Sequence, residues 1–262
     1  MKKDFCVITY CIKSWLDRAN RTIEELRKIG KYEGDIVVII GDDLKDRDLS
    51  YDDEKVIIKY FPEIDRTEQL NKLKQKPIRQ DSFEVLKSFQ WHKIYAFHTY
   101  FKQWQYCWGI DASMKIFKPV DKIVSLAEKG KFLAAFDDPS KVWKLRDQFD
   151  NVQFPEIYRE LSENFDLTRD HFQTTTFMYD TDLIDENTCD ILNKLSLKYF
   201  ISTTNDQGVI NLYFNGLYDY FKPLKTGDKE TNYYDFFERD GKKPEDYIML
   251  KYPSGWYNST VH

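Results

Sequence analysis

Three short runs of β-branched and aromatic residues constrain the fold of this chain most. Residues 5–12 read FCVITYCI, residues 35–40 read DIVVII, and residues 55–60 read KVIIKY. Between the first two runs, residues 17–29 place apolar side chains at helical spacing, and Gly30 follows as a stop signal. Continuous apolar strands separated by an amphipathic helix are typical of α/β proteins, because their parallel strands are covered on both faces. The sequence therefore predicts a largely parallel sheet.

The remainder of the chain continues the same pattern. A strongly aromatic segment at residues 82–104 is predicted to form a central, well-covered helix. Further strands are predicted at residues 106–110, 131–136, 173–179 and 219–225. Further helices are predicted at residues 67–76, 150–165, 184–196 and 206–214, a polar loop at 226–246, and a tail at 248–262 that docks on the core. No internal repeat or low-complexity linker interrupts the sequence, so we predict one α/β domain over residues 1–262, with a single mixed, mostly parallel sheet flanked by helices.

The charge balance argues against nucleic acid as a partner. The chain carries 39 Lys and Arg against 44 Asp and Glu, a net charge of -5, whereas nucleic-acid-binding domains are usually basic. Its four cysteines form no C-x-x-C pair, which disfavours a zinc cluster or disulfide framework and favours free thiols in a reducing compartment. Because no secretion signal and no transmembrane run are recognisable, we expect a cytoplasmic protein, in the host cytoplasm if the source is a virus.

A single carboxylate follows the predicted strand at residues 106–110. In the stretch YCWGIDASMKIFKPVDK, Asp111 comes directly after that strand. Ligands bind at the carboxyl ends of strands in open α/β sheets, and a buried carboxylate without a partner is costly. A divalent metal that holds a substrate phosphate would supply such a partner through oxygen ligands. The alternative is that Asp111 caps the turn after the strand.

Motifs in order along the chain carry a resemblance to a known family. Residues 93–123, KIYAFHTYFKQWQYCWGIDASMKIFKPVDKI, combine a lysine, an apolar strand and an aspartate at the strand end. Residues 206–211, DQGVIN, open a predicted helix, and His262 is the one late histidine. The chain resembles the GT-A fold glycosyltransferases, most of all the retaining family 8 type represented by glycogenin and bacterial galactosyltransferases. That family has D-x-D, D-Q-D-x-x-N and a late histidine in this order.

The resemblance implies an enzyme with a GT-A fold. Residues 1–123 would form the nucleotide-binding half, and residues 124–262 the acceptor half. The enzyme would move a sugar from a nucleotide-diphosphate sugar, with a UDP-sugar favoured, to a hydroxyl of a glycan, protein or small-molecule acceptor. The reaction would be assisted by a metal and would retain the configuration of the sugar.

The resemblance also implies roles for residues of the matching motifs. A divalent cation, Mn²⁺ or Mg²⁺, would be held by Asp111, Ser113 and His262, and the first two would also lie at the donor diphosphate. Asp206 and Gln207 would lie beside the anomeric carbon of the sugar, and Asp206 would serve as general base if the reaction inverts. The alternatives are that Ser113 is an N-cap after the strand and that Asp206 starts its helix.

Five further positions are predicted to bind the donor nucleotide. Thr9 and Tyr10 end the first predicted strand and Asp42 follows the second, where a GT-A protein binds the base and the ribose. Strand-end turn chemistry accounts for these three residues equally well. Arg79 and Lys93 are cations that would reach the diphosphate, and the alternative for Lys93 is an ordinary solvated lysine.

Two departures from the family pattern keep a second interpretation open. Ser113 stands where D-x-D has its second acid, and Gly208 stands where D-Q-D has its second acid. Fewer acids would weaken a metal site, so the alternative is a catalytically degenerate nucleotide-sugar or glycan-binding protein of the same fold. A sugar nucleotidyltransferase is disfavoured, because TYCIKSWLDR after the first strand has no glycine for a phosphate loop.

Overall fold

A seven-stranded sheet positions the other elements of the molecule. The computed structural model describes residues 2–78, 90–136, 143–224, 234–235 and 243–251. The seven-stranded sheet has the order β3-β2-β1-β4-β7-β6-β8, and a small sheet has the order β5-β10-β9. The strands are β1 (Lys3–Cys11), β2 (Asp35–Ile40), β3 (Val56–Tyr60), β4 (Trp104–Ile110), β5 (Met114–Ile116), β6 (Phe132–Ala134), β7 (Thr176–Asp180), β8 (Phe221–Pro223), β9 (Tyr234–Asp235) and β10 (Met249–Lys251).

Helices connect these strands and lie against the sheet. The α-helices are α1 (Leu16–Lys28), α2 (Thr67–Gln75), α3 (Asp121–Val124), α4 (Pro155–Asn164), α5 (Thr188–Lys198) and α6 (Asp206–Asn211). A π-helical turn, Leu212–Leu217, extends α6. Short 3₁₀ helices lie at Lys13–Trp15, Trp91–Phe97, Thr99–Gln103, Leu145–Gln148, Thr181–Leu183 and Pro244–Asp246. Within the described ranges, no helix has the length and apolar character that crossing a membrane requires.

The strand directions bring several chain segments to one edge of the sheet. β1 is parallel to β2 and β4, and β2 is parallel to β3. β7 is antiparallel to β4 and β6, while β8 is parallel to β6. The carboxyl ends of β1, β4 and β6 therefore meet the amino end of β7 at a common edge, which we call the carboxyl edge. The predicted mixed, mostly parallel sheet flanked by helices is confirmed.

The central strands of the sheet are buried on both faces, which explains their continuous apolar sequences. Along β1, Cys6 and Ile8 pack in one core cluster, whereas Val7 and Cys11 pack in the other. The second cluster contains the apolar face of α1. The first cluster is strongly aromatic, with Phe132 stacked on Phe177 at a ring-centroid distance of 5.5 Å. A strand covered on both sides has no solvent face for polar residues.

The aromatic segment before β4 differs from its prediction as one helix over residues 82–104. Residues 79–89 lie outside the described residues, and the rest forms the two 3₁₀ helices Trp91–Phe97 and Thr99–Gln103. His98 interrupts them with an extended backbone (φ -75°, ψ 148°), and its ring accepts a hydrogen bond from the backbone N–H of Tyr100. Six of the seven residues in Trp91–Phe97 are buried. The segment is thus well covered, as predicted, but an α-helical period does not describe it.

The small sheet was not predicted from the sequence. Residues 226–246 were predicted as a loop, yet β9 lies within them, and β10 begins the predicted docking tail. β10 is antiparallel to β5, with Lys251 opposite Met114. Since β5 follows Asp111 closely, this pairing carries the end of β10 to the carboxyl edge. Residues 252–262 lie outside the described residues.

Candidate active site

Three residues predicted for the site meet at the carboxyl edge. Lys93 comes from the 3₁₀ helix Trp91–Phe97, Asp111 follows β4, and Asp206 is the first residue of α6. The Lys93 Nζ atom lies 2.7 Å from Asp111 Oδ1 and 3.8 Å from Asp206 Oδ2. The side chains are largely removed from solvent, with exposed fractions of 12% for Lys93, 15% for Asp111 and 5% for Asp206. The ammonium group therefore bridges two carboxylates in a sheltered position.

Backbone hydrogen bonds hold Asp111 in place. Its N–H donates to the carbonyl of Thr175 (2.9 Å), at the amino end of β7, and its own carbonyl accepts from the N–H of Met114 (3.0 Å). The second bond closes the turn between β4 and β5. The carboxylate after the aromatic strand thus has a position set by the sheet itself.

A second ammonium group binds the other oxygen of Asp111. Lys251, at the end of β10, places its Nζ atom 2.8 Å from Asp111 Oδ2 and 3.0 Å from Thr175 Oγ1. Both oxygens of one carboxylate consequently face an ammonium group. Lys251 was not identified from the sequence, because its partner lies 140 residues earlier in the chain and a three-residue strand has no recognisable pattern.

Thr174 links the lysine and the start of α6. Its hydroxyl donates to Asp206 Oδ2 (2.7 Å), and its backbone N–H donates to Gln207 Oε1 (3.1 Å). Its carbonyl accepts from Lys93 Nζ (3.1 Å). Thr174 was also missed as a site residue, although the three consecutive threonines at residues 174–176, where β7 begins, were a possible signal.

The pKa values in this cluster follow from burial and from the neighbouring charges. Burial raises the pKa of the Asp111 carboxyl, but the ammonium groups of Lys251 and Lys93 lower it by more, so the net shift is downward. Burial also raises the pKa of Asp206, and Lys93 and Thr174 offset only part of that increase. Burial lowers the pKa of Lys93, and the two carboxylates raise it by more. Asp111 is thus held as an anion, while Asp206 is a stronger base than an ordinary aspartate.

A buried network of polar side chains is hydrogen-bonded to Gln207. Its amide nitrogen donates to Gln148 Oε1 (3.0 Å), and the Gln148 amide nitrogen lies 2.9 Å from His171 Nε2. Gln148 and His171 are both 2% exposed. Buried amides in a hydrogen-bonded network have a restricted orientation, so the network holds the Gln207 side chain in its direction.

Tyr10 and Thr9 lie at the end of β1 on opposite faces of the sheet. The ring centroid of Tyr10 is 6.0 Å from Lys93 Nζ. Burial, with the charges of Asp111 and Asp206, raises the pKa of its hydroxyl. In the part of the chain that is described, the hydroxyls of Tyr10 and Thr9 are buried without a hydrogen-bond partner. Tyr10 therefore lies near Lys93, and Thr9 is buried on the opposite face of the sheet.

Of the other four predicted residues, Asp42 and Ser113 lie within the described ranges. Asp42 accepts hydrogen bonds from the Tyr60 hydroxyl (2.5 Å) and from the N–H of Glu63 (3.2 Å). Ser113 lies half-buried in the turn after Asp111. Arg79 and His262 lie outside the described residues. The roles assigned to these four residues stay predictions.

The donor set around Asp111 does not by itself fit a divalent metal. Such ions take several oxygen ligands at about 2.0–2.6 Å, but both Asp111 oxygens already bind ammonium groups. Ser113 would add a neutral oxygen in place of an acid. Across the described ranges, no group of three His, Cys, Asp or Glu residues is arranged to hold a metal ion.

Comparison with known proteins identifies the fold. No protein-family model matches the sequence, and no curated protein matches it. Among solved structures, the chain is similar to core-mannan synthase A from Aspergillus fumigatus in its Mn/GDP form, with a TM-score of 0.51 and 12% sequence identity. The similarity covers 85% of this chain and 73% of that chain. The chain has a GT-A glycosyltransferase fold, as predicted.

Proposed function

We propose that this chain is a glycosyltransferase that moves a sugar from a nucleotide-diphosphate sugar to an acceptor hydroxyl. The observation that carries the proposal is the cluster of Lys93, Asp111 and Asp206 at the carboxyl edge of a GT-A fold. This edge is where open α/β sheets bind their ligands. A buried charge cluster with one carboxylate of raised pKa is also typical of a functional site.

In this proposal, different residues of the site contact different parts of the donor. Lys93 and Asp111 lie at the diphosphate, while Asp206 and Gln207 lie at the sugar. Tyr10, Thr9 and Asp42 bind the base and ribose, and Arg79 adds a cation at the diphosphate. Following the family 8 resemblance, we propose a UDP-sugar as donor and retention of configuration. These finer assignments rest on the sequence motifs.

The proposed reaction exchanges one bond at the anomeric carbon for another. The bond to the diphosphate oxygen breaks, and its electron pair leaves with that oxygen. The acceptor oxygen forms the new bond, and in a retaining reaction its proton passes to the departing diphosphate. If the products show inversion instead, Asp206 is the group placed to take the proton, since its pKa is raised toward the range of a useful base.

Metal assistance by Mn²⁺ or Mg²⁺ is part of the sequence prediction. The similar mannan synthase structure is an Mn/GDP form. In this chain, His262 and the rest of residues 252–262 lie outside the described residues. The described side chains do not by themselves form a set of ligands that could hold a metal ion. We therefore assign no step of the reaction to a metal.

The proposal is tested by replacing Asp206. UDP- and GDP-sugars are supplied with simple hydroxyl acceptors, and release of the nucleoside diphosphate is measured. We expect Asp206→Asn to lower turnover about 100-fold or more, because a positioned charge at the reacting centre is lost. The matched control is Asp190→Asn, an exposed position in α5, which should turn over like the wild type. Equal rates for both variants would contradict the assigned site.

A degenerate, non-catalytic binding protein is the second candidate. The observation that favours it is the loss of two family acids, at Ser113 and Gly208. A Cβ atom on Gly208 would lie 2.5 Å from Ser202 Oγ, so the packing leaves no space there for a carboxylate. Binding of a nucleotide sugar without turnover or hydrolysis, for every donor in the panel, would support this candidate over the enzyme.

A further inference from the structure

The charges at the carboxyl edge form one connected group. Lys93 and Lys251 bind different oxygens of Asp111, at 2.7 and 2.8 Å. Asp206 lies 3.8 Å from Lys93. With Asp206 included, two ammonium groups balance two carboxylates, but the charges are unevenly placed: both ammonium groups lie within 2.8 Å of Asp111, whereas Asp206 lies 3.8 Å from Lys93. Around Asp111 the positive groups therefore outnumber the carboxylate, and an anion is the ligand that this end of the group favours.

The ammonium groups occupy the places where a metal ion would bind Asp111. A metal would have to displace at least one lysine from the carboxylate. Displacing Lys93 would leave a nearly buried ammonium without its closest anionic partner, and a buried charge that loses its partner is strongly destabilising. A resident metal at Asp111 is therefore opposed by the charges that the chain has placed there.

We propose that Lys93 and Lys251, held together through Asp111, bind and neutralise the donor diphosphate in place of a divalent metal. This inference rests on the proposed function and names how that site takes its substrate. Two fixed cations supply the same kind of charge that a metal offers to a departing diphosphate, and preorganised charge of this kind lowers the barrier of group transfer.

The two lysines have different roles in this arrangement. Lys93 is the more buried and also donates to the carbonyl of Thr174, so it is fixed within the fold. Lys251 is 27% exposed and lies at the end of β10, with its hydrogen bond to Thr175 oriented by the pairing of β10 with β5. Lys251 is thus the cation that approaches the diphosphate from the solvent side.

The test compares nucleotide binding with and without metal. UDP and GDP are titrated into the full chain by calorimetry, first with chelator and then with Mn²⁺, and the heat of metal binding to the nucleotide alone is subtracted. We expect one of the two nucleotides to bind in chelator with an affinity within about threefold of that in Mn²⁺. Lys251→Met should weaken this binding about tenfold or more, because a charge-assisted hydrogen bond is lost.

Three further measurements separate a diphosphate role from a structural one. Lys251→Arg keeps the positive charge and should recover most of the affinity. The corresponding nucleoside monophosphate should bind wild type and Lys251→Met almost equally, since it lacks the second phosphate. Lys198→Met removes a lysine from a surface ion pair with Glu160 and should leave binding unchanged. Thermal unfolding of each variant establishes that it is folded.

The outcomes distinguish this inference from the proposed function. Binding that disappears in chelator and returns with Mn²⁺ would overturn the inference and leave the glycosyltransferase in place. Wild-type affinity in a folded Lys251→Met variant would also overturn it. No binding of UDP or GDP in either condition would overturn both.

Discussion

At the scale of single residues, Gly208 shows how packing decides what a motif position can hold. The family pattern has an acid there, and this chain has glycine. A Cβ atom at Gly208 would lie 2.5 Å from Ser202 Oγ and 3.0 Å from Phe149 Cζ. Both neighbours are buried, so neither can move into solvent. An acid at this position would therefore conflict with the packing around α6.

We predict that Gly208→Ala destabilises the protein by about 1–3 kcal/mol, because overpacking a buried site forces its neighbours to shift. In an exposed helix, a Gly-to-Ala substitution would instead stabilise the protein by about 1 kcal/mol. A decrease in the free energy of unfolding would therefore indicate the steric conflict. Urea unfolding measures the difference in free energy. Gly216→Ala is the matched control, since its Cβ would meet Phe165 at a milder 3.3 Å, and it should cost less.

A double substitution tests the cause of that destabilisation. Gly208→Ala combined with Ser202→Ala removes the Oγ atom that causes the closest conflict, so it should recover part of the loss. A coupling energy of about 0.5–3 kcal/mol is typical for residues in direct contact. Additive losses in the double variant would show that Ser202 is not the obstacle.

At the scale of secondary-structure elements, Asp35 ties three strands at the edge opposite the candidate site. It begins β2, and its Oδ2 atom accepts from Lys3 Nζ of β1 (2.7 Å) and from Trp104 Nε1 of β4 (2.8 Å). Burial raises the pKa of this carboxyl, but the two hydrogen bonds and the charge of Lys3 lower it by more, so it lies below its ordinary value of 3.8.

We predict a pH-dependent stability contribution from Asp35. A carboxyl whose pKa is lowered by folding stabilises the native state above its unfolded pKa, and this contribution is lost as the pH falls through the folded value. At pH 7, Asp35→Asn should lower the free energy of unfolding by about 1 kcal/mol. The difference from wild type should shrink as the pH falls below 3.8. Urea unfolding between pH 7 and pH 2.5 measures it.

The Lys3→Met variant is the companion to this experiment. It removes one donor to the same carboxylate and should show a smaller loss with the same pH dependence, because Lys3 is largely exposed. A constant difference between wild type and Asp35→Asn at all pH values would contradict the role of the charge.

The elements show where sequence patterns succeed and where they fail. Strand β2 was predicted with its observed bounds, and α6 with its first residue, since continuous apolar runs and helix-start signals are local. Trp91–Phe97 was predicted as part of an α-helix, because the sequence does not distinguish a 3₁₀ segment enclosed on all sides from a buried α-helix. The pairing of β5 with β10 joins distant parts of the chain, so Lys251 was not predicted as a site residue. Asp111 was predicted, because it directly follows a recognisable strand.

At the scale of the whole molecule, the large sheet runs through both predicted halves of the chain. β4 belongs to residues 1–123 and pairs with β7, which belongs to residues 124–262. In the small sheet, β5 and β10 join the halves again. The candidate site also draws its residues from both halves: Lys93 and Asp111 come from residues 1–123, and Asp206 and Lys251 come from residues 124–262. We therefore propose that residues 1–262 unfold as one cooperative unit.

Met178 provides the test of that cooperativity. It lies in β7 between Trp108 of β4 and Leu133 of β6, and it is 1% exposed. Met178→Ala should lower the free energy of unfolding by about 2–4 kcal/mol through the cavity it creates. In a single unit, native-state hydrogen exchange should show the same loss at the β1 amides of Val7 and Ile8, far along the chain in the other half.

The exposed residue Val152, at 74% exposure, gives the control for this measurement. Val152→Ala should leave the exchange of both halves within about 0.5 kcal/mol of wild type. If Met178→Ala weakens β7 and β6 while the β1 amides keep their wild-type protection, residues 1–123 and 124–262 unfold separately. The site between them would then depend on the docking of two units, and any loss of that docking would separate Asp111 from Lys251 before either half unfolds.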